Sequence, residues 1–206
     1  MAEILKFPAE ASKLGYRRVR KRQRVADNPN QLHLFSRPAA QVLSFTPALS
    51  PFEQALMLDE RGDVKAADFY AKAIEDQDCV ADAYCNLGII ESQKGNTAKA
   101  FDCFTTSLKH DPRHTEAHYN LANLYFEVND LRLAQIHYEI AIEVDPSFAN
   151  LYFNLALVQS INNLAAAIDT LTKYQELVPA DEARNADELL QSFKKSLTAS
   201  QCAQSN

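Results

Sequence analysis

Three groups of side chains in this 206-residue chain have types and spacings that could do chemistry. Asn86, Asn120 and Asn154 recur at intervals of 34 residues. A side-chain amide offers one acceptor and two donors, so a column of them could bond the backbone of an extended polypeptide on both sides without reading its side chains. The plain alternative is that the asparagines recur with a structural repeat and bond within the protein. Arg17, Arg18, Arg20, Lys21, Arg22 and Arg24 form a basic run dense enough to attract polyanions. His110, His114 and His118 are spaced by four, which on one helix would suit a metal ion. Asp111-Pro112 breaks any helix between the first two, so no metal site is expected.

Other chemistry finds little support. The four glycines, Gly15, Gly62, Gly88 and Gly95, are too scattered to cradle a phosphate, which argues against nucleotide chemistry and leaves no cofactor to expect. Cys79, Cys85, Cys103 and Cys202 contain no CxxC pair and follow no secretory apolar segment, so they read as reduced thiols in a cytoplasmic protein. No serine or cysteine has an identifiable base, and the chain is expected not to be an enzyme. No apolar run approaches the ~20 residues of a membrane-spanning helix. The net charge of −6 divides unevenly: residues 1–46 hold nine Lys/Arg against three acidic residues, and the rest hold 12 against 24. A basic tail is joined to an acidic body.

The elements that must position the asparagines follow from the same period. Ala83 to Gly88, Ala117 to Ala122 and Leu151 to Ala156 align, and Ala100, Phe104 and Pro112 match Ala134, Tyr138 and Pro146. Each unit reads as two helices. In the first, a small residue at Gly88, Ala122 or Ala156 permits close approach. Gly95-Asn96 or Asn129-Asp130 marks the turn. The second carries an apolar stripe of helical period, as in Ala134, Tyr138 and Ala141, and Asp-Pro stops it because proline cannot continue a helix.

With this pattern the chain resembles the tetratricopeptide repeat family of 34-residue helix-turn-helix units. The match is strong over 81–114 and 115–148. It is weaker over 48–80, which keeps Gly62, Ala66, Tyr70 and Ala73 without the terminal proline, and over 149–181, which is one residue short near Asn162-Asn163. Degenerate end units suit a stacked array. A further helix over 182–198, with Leu189, Leu190, Phe193 and Leu197 on one face, would cap the array at 47–198, and residues 199–206 would fray. The resemblance implies an all-α, right-handed α-solenoid of about four repeats, with a non-catalytic role as a scaffold or adaptor. It also implies a concave groove lined by the first helix of each unit. There Asn86, Asn120 and Asn154 take the place of the asparagine ladder that O-linked N-acetylglucosamine transferases present to peptides. The same places hold Tyr119, Asn123, Phe126, Phe153 and Leu157 as an apolar and polar lining, with Asp82, Glu116 and Glu127 as acids. Chaperone-binding members grip a C-terminal carboxylate with Lys and Arg there. This chain has none, so an extended apolar segment with basic flanks is the better partner.

Residues 1–46 lack sustained periodicity and are expected to be disordered. Their arginine run has three readings: nucleic acid through phosphate contacts, a nuclear-import-like signal, or docking onto the acidic body. Gln31, Leu32, His33, Leu34 and Phe35 resemble the Gln-Leu-x-Leu-Phe pentapeptide by which bacterial replication and repair proteins enter the sliding clamp, which implies a replication accessory factor as the alternative function. The same stretch could instead fold back into the groove of its own chain.

Overall fold

The structure, a computed structural model, describes residues 15–20 and 49–204. Among the described residues it is all helix and coil, in the order α1 (Pro51–Glu60), α2 (Ala66–Glu75), α3 (Val80–Gln93), α4 (Thr97–His110), α5 (Thr115–Glu127), α6 (Leu131–Val144), α7 (Ala149–Gln159), α8 (Leu164–Leu177) and α9 (Ala180–Gln204). Helices α1/α2, α3/α4, α5/α6 and α7/α8 pack as four hairpins, each stacked on the next, and α9 packs on α8. The chain is an α-solenoid.

Local chemistry sets the boundaries. Ser50 and Glu53 form a capping box at α1, with Pro51 at its first turn. Asp130 and Asn163 accept the Leu133 and Ala166 amides at 3.1 Å and so cap α6 and α8. The chain leaves α1 and α3 through Gly62 and Gly95 at φ +69° and +78°, and Asn129 takes the corresponding turn after α5 at φ +63°. Where the first unit lacks its proline, Gln77 and Cys79 adopt left-handed backbone instead (φ +55° and +51°) and redirect the chain into α3. The final helix extends beyond the expected 182–198 at both ends.

Each hairpin closes around one large side chain from its second helix. Tyr70, Phe104, Tyr138 and Leu171 are all fully buried. Phe104 crowds the first helix at Gly88: a Cβ there would lie 2.7 Å from the Phe104 ring and 3.1 Å from the Cys103 Cβ, so the ring would have to shift. Phe153, Leu157, Leu171 and Tyr174 form the last core together with Leu189, Leu190 and Phe193 of α9.

Candidate groove and its asparagine ladder

Helices α3 and α5 bring Asn86 and Asn120 to one surface, and both side chains are fully buried because a strand of chain covers them. That strand is Gly15 to Arg20. The Val19 amide donates to Asn86 Oδ1 at 2.9 Å, and Asn86 Nδ2 returns a hydrogen bond to the Val19 carbonyl at 3.2 Å. Two residues earlier the Arg17 amide donates to Asn120 Oδ1 at 2.8 Å, and Asn120 Nδ2 donates to the Arg17 carbonyl at 3.0 Å. One repeat of the array thus matches two residues of extended chain, about 6.6 Å. The strand runs against the order of the repeats, with Val19 at the second unit and Arg17 at the third. These six residues fall within the 1–46 expected to be disordered, and the ladder pairs the backbone groups of two of them, Arg17 and Val19. They also lie ahead of the 31–35 stretch considered for the groove.

Side chains fix the register. Val19, 2% exposed, enters a cluster with Cys85, Ile89, Leu121 and Leu124, where burying a valine contributes about 1.5–2 kcal/mol before ordering costs. The Arg18 guanidinium lies 3.0 Å from Asp59 Oδ1. Asp59 Oδ2 accepts the Tyr70 hydroxyl at 3.1 Å, and that hydroxyl oxygen in turn accepts from Asn86 Nδ2 at 3.1 Å. Burial raises the Asp59 pKa, and the Arg18 charge acts the other way. The Arg17 guanidinium sits 3.7 Å above the Phe148 ring, with its Nε 3.7 Å from Glu116. The Tyr16 hydroxyl contacts Ser92 and reaches the Glu127 carboxylate at 3.3 and 3.4 Å. Burial raises the Glu127 pKa, partly offset by the Tyr16 bond.

The remaining nominated residues fall elsewhere. Asn154 makes no hydrogen bond to the strand among the described residues: its Nδ2 donates to Asn123 Oδ1 at 3.1 Å and to the Tyr119 hydroxyl at 3.4 Å. Asn123 stands between, donating to the Gly15 carbonyl at 3.4 Å. Tyr119 is 1% exposed, packed on Phe148 and Tyr138, and so belongs to the core rather than to an open lining. Phe126 is half-buried against the core that α5 and α6 share with α7. Phe153 and Leu157 lie in the core shared with α9, which takes the place a fifth unit would have. Glu116 does face the strand through Arg17. Arg17 and Arg18 face carboxylates of the array. Arg20 is exposed. Lys21, Arg22 and Arg24, and Gln31, Leu32, Leu34 and Phe35, lie outside the described residues.

The histidines separate as well. His110 stacks on Tyr84. His114, fully buried, caps α5 through the Ala117 amide and meets Asp82 at 2.8 Å. His118 Nε2 donates to the Pro112 carbonyl at 3.1 Å, leaving its Nδ1 to accept from His137 Nδ1 at 2.9 Å. Among the described residues no group of acidic, histidine or cysteine side chains could hold a metal ion, and no helix is long and apolar enough to cross a membrane. The Cys85 thiol is held well above its usual pKa by burial and accepts from Asn120 Nδ2 at 3.5 Å. Sequence reasoning missed Asp59 and His137, since an acid near a turn and a histidine on a second helix carry no repeat signal.

Models of the tetratricopeptide repeat match residues 81–114 and 119–182. With four stacked hairpins of this geometry, the assignment is decided. The chain carries tetratricopeptide repeats. Over 84 residues it is 33% identical to tetratricopeptide repeat protein 8 of Mus musculus, which covers 41% of this chain but only 16% of the mouse protein. A tetratricopeptide repeat protein from Parabacteroides merdae has a similar fold, with a TM-score of 0.61 at 20% identity over 71% of this chain and 59% of that one. MamA superposes with a TM-score of 0.55 at 20% identity, covering 74% of this chain and 97% of MamA. The first repeat domain of Spaghetti (RPAP3), solved bound to the HSP90 peptide SRMEEVD, gives 0.53 at 22% identity, covering 57% of this chain and 93% of that domain.

Proposed function

We propose that this tetratricopeptide repeat protein is a non-catalytic interaction module that captures an extended polypeptide segment along the ladder of Asn86 and Asn120. The observation that carries the reading is the pair of two-way amide bonds to the backbone at Arg17 and Val19. Such bonds recognise extended chain of any sequence, and the strand of residues 15–20 stands in for a partner. The peptide-bound Spaghetti domain supports a peptide as the class of ligand for this fold. An acidic surround of Asp59, Glu116 and Glu127 favours a basic or apolar segment over an acidic one.

A random peptide library screened against the full chain carrying Val19→Asp, which places a charge in the apolar cluster and releases the strand, tests the reading. Enriched peptides should lose at least about tenfold in affinity when Asn86→Ala and Asn120→Ala are added, as expected for losing several buried hydrogen bonds. Enriched peptides that bind equally well without the asparagines would refute it.

A further inference from the structure

The strand of residues 15–20 is an imperfect ligand. Asn154 takes the same place in the fourth unit that Asn86 and Asn120 take in the second and third. It is 1% exposed, and its Oδ1 has no hydrogen-bond partner. Buried acceptors are almost always paired, so an orphan at a regularly placed rung calls for a donor. The two-residue step sets which donor: Val19 pairs with Asn86, Arg17 with Asn120, and the next rung falls at residue 15. Gly15 makes only the long bond from Asn123. A second buried polar atom, Arg17 Nη1, is also unpartnered where the strand meets the array.

Resting on the groove reading above, we propose that residues 15–20 are a displaceable resident. The partner that replaces them is an extended basic segment, aromatic–basic–basic–β-branched in the register of Tyr16 to Val19, that continues toward the fourth unit and donates a backbone N–H to Asn154 Oδ1. Each position has its chemistry. The β-branched side chain fills the apolar cluster of Cys85, Ile89, Leu121 and Leu124. The two cations meet Glu116 with Phe148 and the buried Asp59. The aromatic hydroxyl reaches Glu127. The resident has the advantage of an intramolecular encounter, and the incoming segment has the advantage of a third rung.

The test uses the full chain and a fluorescent peptide with the sequence of residues 11–20 in which alanine stands at the place of Gly15. By anisotropy, this peptide should bind the Val19→Asp chain at least about tenfold more tightly than the wild-type chain, because the resident no longer competes. N-methylation at the place of residue 15 should weaken binding about tenfold by removing one donor to a buried acceptor, whereas N-methylation one residue later should change it much less. Replacing both central arginines with glutamine should also weaken it. Equal binding to wild-type and Val19→Asp chains overturns displacement. Indifference to N-methylation at residue 15 overturns the third rung, and indifference to the glutamines overturns the basic preference. A concentration-dependent wild-type dimer in light scattering would make the occupant the strand of a second copy and overturn an external partner. If the peptide still binds Val19→Asp after Asn86→Ala and Asn120→Ala are added, the groove reading itself fails, whatever the partner's chemistry.

Discussion

The Arg18 guanidinium lies 3.0 Å from the carboxylate of Asp59, a residue 6% exposed on the first repeat. This contact joins a strand that precedes the array to the network of Asp59, Tyr70 and Asn86, so the charge pair and the first ladder rung stand or fall together. A buried carboxylate without its cation is costly. Asp59→Asn should therefore loosen residues 15–20, and trypsin should cut after Arg17 or Arg18 several-fold faster than in the wild type. An unchanged cutting rate would show that the backbone bonds alone hold the strand.

The two rungs make separable predictions about amide exchange. Asn120→Ala removes the acceptor of the Arg17 amide, and Asn86→Ala that of the Val19 amide. Exchange at Arg17 should rise by at least about tenfold in Asn120→Ala, with a smaller rise at Val19, because losing a buried hydrogen-bond partner costs about 1–3 kcal/mol locally. In Asn86→Ala the order should reverse. Equal rises in both variants would mean that the strand leaves as one unit.

Gly88 faces Phe104 without room for a methyl group. Gly88→Ala should lower stability by about 1–2 kcal/mol despite alanine's better helix propensity, since the ring is fully buried and overpacking outweighs propensity. Denaturant unfolding gives the sign directly. Ala122→Gly in the next unit should also destabilise, through lost packing and helix propensity.

The His118–His137 pair gives a pH dependence. Burial pushes the His137 pKa down from 6.5 to about 4, and burial also lowers His118. With folded values below unfolded ones, the unfolded chain takes up protons first. This contribution to stability is therefore intact above about pH 6.5 and declines as pH falls toward about 4. The thermal midpoint should drop across that window, and His137→Gln should flatten the drop. An equal drop in the variant would assign the effect to other groups.

The two central repeats were legible because period and chemistry agreed: Asp-Pro stops, buried small residues and one aromatic per hairpin recur at 34-residue spacing, and each has a local cause. Asn86 and Asn120 were legible for the same reason. Asn154 carried the identical signal, yet it bonds Asn123 and Tyr119 instead of the strand, because local sequence cannot say which neighbour reaches a polar group first. Phe153 and Leu157 occupy lining positions by spacing, but α9 covers them, and that depends on where a helix without a repeat partner folds back.

Spacing and composition suffice for the helical hairpins, their stacking period and the acidic character of the array. Tertiary structure decided what the ladder holds. That Arg17 and Val19 rather than a later apolar stretch meet Asn120 and Asn86 depends on Asp59 of the first repeat and on Glu116 and Phe148, from opposite ends of the third, converging on one strand. Contacts so far apart in the chain leave no local pattern to read.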